Sequence, residues 1–149
     1  MDNANFIYDV FISYSPSDES WVWDWLIPLL KEAEFSVCSD QESFDVGVPN
    51  LINMENAVAA SRHTVLVLTP AWVASQLANF EGLLGQQNDP NGQLQRTLPV
   101  LYRPCSVPPR IAQLAHVDFT GKKDADREFT RLLNALRGIR RIPEENLQA

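Results

Sequence analysis

The stretch His63-Thr64-Val65-Leu66-Val67-Leu68-Thr69-Pro70 decides the fold of this chain. Its first six residues form an almost unbroken run of β-branched and apolar side chains, which is typical of a strand buried on both faces. Thr69 and Pro70 then supply a helix N-cap and a proline at the first helical position. A buried strand that passes directly into a helix favours an α/β fold with a parallel sheet.

Strand-like and helix-like segments alternate on both sides of this stretch. Strands are predicted at 8–14, 35–38, 63–68, 97–102 and 115–119. The spacing of apolar residues predicts helices after the first strand, over 51–61, over 70–84 and over 129–136. This alternation favours a flavodoxin-like three-layer sandwich, in which a five-stranded parallel sheet has the order 2-1-3-4-5.

The first predicted helix has an N-cap candidate and an interior proline. Ser17 is the N-cap candidate, because Asp18 and Glu19 follow it and acidic side chains favour a helix N-terminus. Pro28 stands inside the apolar pattern, where an interior proline costs about 3 kcal/mol. We therefore expect a kink or an early end of the helix at Pro28.

The polar segment 39–50 is predicted to be a loop of about a dozen residues. It contains Gly47 and Pro49, and it is longer than most connections in a compact domain. Long loops on a rigid scaffold often carry function. The acidic side chains Asp40, Glu42 and Asp45 are read as a solvated loop rather than a metal site, because no matching ligand set is visible.

Composition and charge exclude several functional classes. The chain has 149 residues, with 19 acidic side chains against 12 basic ones and a net charge of −7. Such a balance argues against nucleic acid as a partner and against a polybasic membrane surface. The sequence contains no run of about 18 apolar residues, so it predicts no membrane span. The acidic N-terminus does not resemble a signal peptide.

The cysteine count bears on metal sites and on the cellular compartment. Cys38 and Cys105 are far apart and form no zinc spacing, and His63 and His116 are the only histidines. We therefore expect no metal. Two free thiols without a secretion signal predict a cytoplasmic protein. Residues 5–137 are predicted to form the domain, and the polar segment 138–149 a linker or tail cut from a longer protein.

The fold class nominates a place for a ligand. In open α/β sheets, ligands bind at the carboxyl ends of the strands where the strand order reverses, here between the first and third strands. That rule selects Ser13, Tyr14 and Ser15, the loop 39–50, and Thr69 with the helix after it.

Three segments at these places together resemble the TIR domain family (Toll/interleukin-receptor/resistance-protein domains). The first, Tyr8-Asp9-Val10-Phe11-Ile12-Ser13-Tyr14-Ser15, resembles the first-strand box (Y/F)DVF(I/L)SY. The second, Glu42-Ser43-Phe44-Asp45-Val46-Gly47, is similar to the loop of the type RDFxPG. The third, Ser61 through Trp72, resembles the third-strand box, and all three occur in the family's order. The compact, acidic form is closer to microbial TIR modules than to receptor tails.

The resemblance implies an enzymatic function. Many family members cleave NAD between nicotinamide and ribose, and some cyclise the product, with a glutamate within WxxxE in the helix after the third strand. That position is Glu81 here, whereas Leu77 replaces the tryptophan. The Phe-Trp box of the last helix is also absent, since Thr130 follows Phe129. NAD is then the substrate and no cofactor is required.

Each candidate residue has a second interpretation. Glu81 is either the catalytic carboxylate or a solvated helix residue, about 40° around the helix from Leu77. Phe44 either stacks on a ring of NAD or anchors the loop against the domain. Ser13, Tyr14, Ser15 and Leu77 are predicted to contact the substrate, and strand-end packing and capping are the alternative for Ser13 and Tyr14.

Two functions from different classes remain open from the sequence. The first is an NAD glycohydrolase or cyclase that is activated by self-association. The second is a non-catalytic signalling adaptor that assembles with other TIR domains. In both, the resemblance implies that the loop Phe44, Asp45, Val46 and Gly47 contacts a neighbouring TIR domain.

Overall fold

A five-stranded parallel sheet organises the computed structural model, which describes residues 6–84 and 95–138. For Glu81, Gly82 and Leu84 it describes the backbone alone. The strands are β1 (Tyr8–Ser13), β2 (Val37–Cys38), β3 (Ser61–Leu68), β4 (Thr97–Leu101) and β5 (Val117–Asp118). Their order is β2-β1-β3-β4-β5 with every neighbouring pair parallel, so the predicted topology is confirmed.

Helices cover both faces of the sheet. They are α1 (Glu19–Trp21), α2 (Ile27–Glu32), α3 (Asp40–Ser43), α4 (Asn50–Ala60), α5 (Pro70–Ser75), α6 (Leu77–Leu84), α7 (Pro109–Ala112) and α8 (Ala125–Leu136). One buried cluster joins the sheet to α2 and α8, and a second joins it to α4, α5 and α6. Alternate residues of β1 divide between them, since Val10 and Ile12 enter the first cluster and Phe11 enters the second. This is the predicted three-layer sandwich.

The first helical region differs from its prediction in two ways. Ser15, not Ser17, is the cap, and its Oγ accepts the N–H of Ser17 at 3.3 Å before a 3-10 turn over Pro16–Asp18. The early end expected at Pro28 is also wrong, because helical backbone continues to Glu32, whereas the kink stays a prediction. A π-helical stretch, Val22–Leu26, precedes the proline. Because proline has no N–H for the residue four positions earlier, this wider turn absorbs the missing hydrogen bond.

Two other predicted segments differ in their internal structure from the sequence pattern. The predicted loop 39–50 contains the short helix α3 and ends where α4 begins at Asn50. The predicted helix 70–84 is divided at Gln76 into α5 and α6. Its first turn is as expected, since Thr69 Oγ1 accepts the N–H of Trp72 at 3.0 Å. The predicted end of that helix at Gly85 and 88–92, and the tail beyond Gly138, lie outside the described residues.

No helix within the described ranges is both long and apolar enough to cross a bilayer.

His63 is a buried histidine at the amino end of β3. Its Nδ1 lies 2.6 Å from the carbonyl oxygen of Gln95, to which it donates a hydrogen bond. Burial is the main cause that lowers the pKa of His63, the positive charges of Arg62 and Arg96 lower it further, and the hydrogen bond to Gln95 opposes them. The folded protein therefore favours the neutral imidazole.

We expect stability to fall as the pH drops below about 6.5, the ordinary pKa of histidine in an unfolded chain. There the unfolded state binds a proton that the folded state excludes, at most about 1.4 kcal/mol per pH unit. Urea denaturation at pH 7.5 and 5.5 measures this, with His63→Gln showing a smaller loss than the unaltered chain. His116→Gln, at an exposed histidine, is the control. An equal loss for His63→Gln would contradict the prediction.

Candidate functional site

The carboxyl ends of β1 and β3 lie side by side, as the sheet order requires. Ser13 pairs with Leu66 in the parallel ladder, so the residues after β1 stand beside those after β3. The indole Nε1 of Trp72 donates to Ser13 Oγ at 3.0 Å and ties α5 to the end of β1. The segments selected by the strand-end rule therefore come together in three dimensions.

A second tie at this edge joins the first turn to the end of β3. Thr69 Oγ1 donates to Asp18 Oδ2 at 2.7 Å while it accepts the N–H of Trp72. Thr69 is buried, and so are Ser13 and Ser15. The three hydroxyl oxygens thus serve contacts within the domain, which is the packing interpretation of Ser13. Substrate contact by Ser13 and Ser15 stays a prediction.

Tyr14 connects three elements through its hydroxyl group. The hydroxyl donates to Asp40 Oδ1 at 2.7 Å, at the start of α3, and accepts from Trp23 Nε1 at 2.8 Å. Burial raises the pKa of Tyr14 to about 12. The hydrogen bond from Trp23 lowers this pKa, whereas the bond to Asp40 and its negative charge raise it further. Tyr14 is therefore a neutral phenol that holds α3 against the end of β1. Its role in substrate binding stays a prediction.

Phe44 lies where the loop leaves α3 and packs toward the sheet. Its ring centroid is 6.1 Å from that of Phe11 in β1, and the ring borders the second buried cluster. This packing is the anchoring role that the sequence left open. Stacking of Phe44 on a ring of NAD stays a prediction.

Asn53 fixes the loop that follows Phe44, and the sequence analysis missed it. Its side chain is 5% exposed and makes three hydrogen bonds to loop backbone. Oδ1 accepts the N–H of Asp45 at 3.1 Å, and Nδ2 donates to the carbonyls of Asp45 and Val48 at 3.2 and 3.3 Å. Helical spacing held a signal, because Asn53 is four residues before the core residue Ala57.

The tip of the fixed loop presents an apolar side chain to solvent. Val46 is fully exposed, and Leu51 and Ile52 in the first turn of α4 are nearly half exposed. Gly47, the residue after Val46, has a φ of +88°, a conformation that favours glycine. Because Asn53 and Gly47 hold the backbone on either side, Val46 stays exposed rather than folding onto the domain.

Gly47→Ala is expected to destabilise the loop by about 1–2 kcal/mol, because a Cβ disfavours this backbone conformation. No atom lies within 4 Å of the added methyl group, so the effect comes from the backbone and not from a clash. Urea denaturation measures it, and weaker self-association should accompany it. Gly121→Ala, at a glycine with φ of +104° after the opposite edge strand β5, is the matched control for association, because it carries the same backbone strain away from the loop. Unchanged stability and association in Gly47→Ala would contradict both expectations.

Leu77 and Glu81 lie one turn apart on the backbone of α6. Leu77 is partly buried against the second cluster, and its neighbour Phe80 is fully buried. The side chain of Glu81 lies outside the described part of the structure. Its catalytic role stays a prediction, as does substrate contact by Leu77.

The described acidic side chains of the loop do not form a metal-binding cluster. Over residues 6–84 and 95–138, apart from Glu81, whose side chain is not described, no three His, Cys, Asp or Glu side chains are grouped so that they could hold a metal ion. Asp40 and Glu42 instead make contacts within the domain, with Tyr14 and Lys31.

Comparisons with known proteins identify relatives of this chain. A family profile described as the TIR domain matches residues 10–133. The chain is 34% identical over 79 residues to Toll-like receptor 13 of Mus musculus, and 31% identical over 97 residues to protein Toll of Drosophila melanogaster. These matches cover 51% and 64% of the chain but 8% and 9% of the receptors. The chain therefore spans about a tenth of the length of these relatives.

Solved structures give the same result for the fold. The TIR domain of the Toll-related receptor TRR-2 from Hydra magnipapillata superposes with a TM-score of 0.75 at 25% identity, over 87% of this chain and 98% of that one. A metazoan TIR-STING receptor from C. gigas has a TM-score of 0.67 at 21% identity, over 89% of this chain and 41% of that one. This similarity supports a shared fold and nothing further. These relatives are animal proteins, and the microbial origin stays a prediction.

Proposed function

The chain belongs to the TIR domain family, and from this premise we propose that it is a signalling module that acts by self-association through the loop Phe44–Gly47. The relatives support signalling, since Toll-like receptors carry the matched sequence. The partner is another TIR domain, which the loop contacts with the side chain of Val46.

This proposal rests on the full exposure of Val46 at the tip of an ordered loop. A fully exposed valine on a flexible loop would bind weakly, because ordering the loop costs conformational entropy. Here the three hydrogen bonds of Asn53 order the loop before any contact forms. Leu51 and Ile52 extend the apolar surface beyond the tip. Such a preorganised apolar surface fits a protein partner.

The experiment measures self-association by analytical ultracentrifugation over a range of protein concentrations. Val46→Asp should weaken the association at least about tenfold, because it places a charge in an apolar contact. Ile7→Asp is the matched control, since Ile7 is 74% exposed at the opposite, amino edge of the sheet. Equal association of both variants and the unaltered chain would refute the loop as the interface.

A second function is supported by the position of Glu81. It lies in α6, the second helix after β3. The motif resemblance implies that this position corresponds to the glutamate of the family's enzymes. Cleavage of the nicotinamide–ribose bond passes through an oxocarbenium-like transition state, which a nearby carboxylate stabilises. The nicotinamide of NAD already bears a positive charge, so its departure needs little acid catalysis. The self-associated module would then be an NAD glycohydrolase or cyclase.

Release of nicotinamide from NAD distinguishes the two functions. The purified domain is assayed dilute and at the same total amount clustered on beads, because self-association is expected to activate the enzyme. Release that rises on clustering supports catalysis. No release in either state, together with normal association, leaves a non-catalytic module.

A further inference from the structure

A cavity of about 160 Å³ lies beside β4, at the side of the sheet away from β2. The carboxyl halves of β3 and β4 form one wall through Leu68 and Leu101. The loop after β4 forms a second wall through Cys105 and Val107, and α7 with the turn after it forms a third wall through Ile111 and Leu114. Leu68, the last residue of β3, borders the site at the ends of β1 and β3, and the other residues named here lie outside that site.

The chemistry of the lining selects an uncharged ligand. Among the residues that the structure describes, no Asp, Glu, Lys or Arg side chain lines the cavity. Burial raises the pKa of the Cys105 thiol, so the sulfur is neutral at pH 7 and behaves as a small apolar group. His116, the one basic side chain in the lining, is exposed to solvent. A charged molecule would therefore lose its hydration without gaining a partner of opposite charge.

The walls of the cavity are held in place by backbone hydrogen bonds. The N–H groups of Tyr102 and Arg103 both donate to the carbonyl of Leu68, at 3.0 and 3.2 Å, and tie the loop to β3. The N–H groups of Ile111 and Ala112 donate to the carbonyl of Pro108, at 3.0 and 2.9 Å. These polar groups are satisfied without a ligand, so the space is bounded mainly by carbon and sulfur.

We propose that this cavity binds an uncharged molecule with a single aromatic ring. The volume is close to the value of about 150 Å³ at which an enclosed apolar cavity accepts benzene, and here the space also opens to solvent beside the exposed residues Ala112 and His116, which gives a ligand an entry path. A ring seated against these walls would remove their apolar surface from water and gain dispersion contacts with them. The proposal needs neither self-association nor NAD cleavage, so its failure would leave both proposed functions standing.

Toluene is the probe, and its binding is followed by two-dimensional NMR of the methyl groups. Saturable shifts should concentrate on Val107, Ile111 and Leu114, and the melting temperature should rise. Reaction of the Cys105 thiol with a neutral maleimide should slow severalfold at saturation, because the ring blocks access to the sulfur. Cys38 is buried elsewhere and should react far more slowly than Cys105. The reaction of the same maleimide with free cysteine in solution is the control, and toluene should not change its rate.

Two variants fill the space from different walls. Ala112→Phe, at the exposed rim of the cavity, and Val107→Phe, in its loop wall, should each abolish saturable binding. Ala59→Phe makes the same alanine substitution on α4, outside the lining, and should retain binding. The melting temperature of each variant without toluene shows that it is folded. Shifts in the unaltered chain that grow linearly without saturation would overturn the proposal. Saturable binding that persists in both filled variants would overturn it as well.

Discussion

Glu81→Gln is expected to reduce nicotinamide release by the clustered domain at least about 100-fold, the loss typical when one preorganised electrostatic group is removed from an active site. Glutamine keeps the size of the side chain and its hydrogen-bonding oxygen but removes the negative charge. An oxocarbenium-like transition state requires that charge near the ribose. The measurement is the rate of nicotinamide release at saturating NAD, with the protein clustered on beads.

Stability and association separate this prediction from a structural effect. Glutamate and glutamine have nearly equal helix propensities, so α6 should keep its stability and the melting temperature should stay within about 2 °C. Glu55→Gln, the same change on α4, is the matched control and should leave release unaltered. A variant at Glu81 that releases nicotinamide as fast as the unaltered chain would exclude it as the catalytic carboxylate.

Glu128→Ala is expected to lower the free energy of unfolding by about 3 kcal/mol. Glu128 is 1% exposed, and its Oε1 accepts hydrogen bonds from the N–H of Asp118 and from Arg131 Nη1, each at 2.9 Å. The first bond joins α8 to the edge strand β5. Its removal leaves a buried N–H without an acceptor, and the partly buried Arg131 loses its carboxylate.

Urea denaturation measures this change, with two variants for comparison. Asp126→Ala removes an exposed carboxylate from the first turn of the same helix and should cost less than about 1 kcal/mol. Glu128→Gln keeps an acceptor for Asp118 and should fall between the two. If Glu128→Ala lost no more stability than Asp126→Ala, the bond between α8 and β5 would not contribute as argued.

The sequence alone located the candidate site but did not predict how its side chains are used. The carboxyl ends of β1 and β3 meet as the strand order requires, which places Ser13, Tyr14, Ser15 and Thr69 together. Their hydroxyl groups, however, bond to Asp18, Asp40 and neighbours in the same domain. Strand order follows from chain topology, whereas the partner of a hydroxyl depends on residues distant in the sequence.

The sequence by itself determined the elements whose signals are local. The apolar run 63–68 predicted β3, and Thr69 with Pro70 predicted the start of α5, because a cap and its helix are adjacent in the chain. Even here, neighbouring contacts moved the ends. The strands β2 and β5 have two residues each, whereas the sequence predicts strands over 35–38 and 115–119. Each lies at an edge of the sheet and pairs with only one neighbouring strand.

Only the tertiary structure decided which polar residues are buried and what they hold. A charged helix residue is usually exposed, yet Glu128 is buried because β5 supplies an N–H for its carboxylate. Asn53 is an ordinary polar residue in the sequence, yet it orders the loop that presents Val46. The free energy of such a residue depends on partners brought near by folding, and no local pattern records those partners.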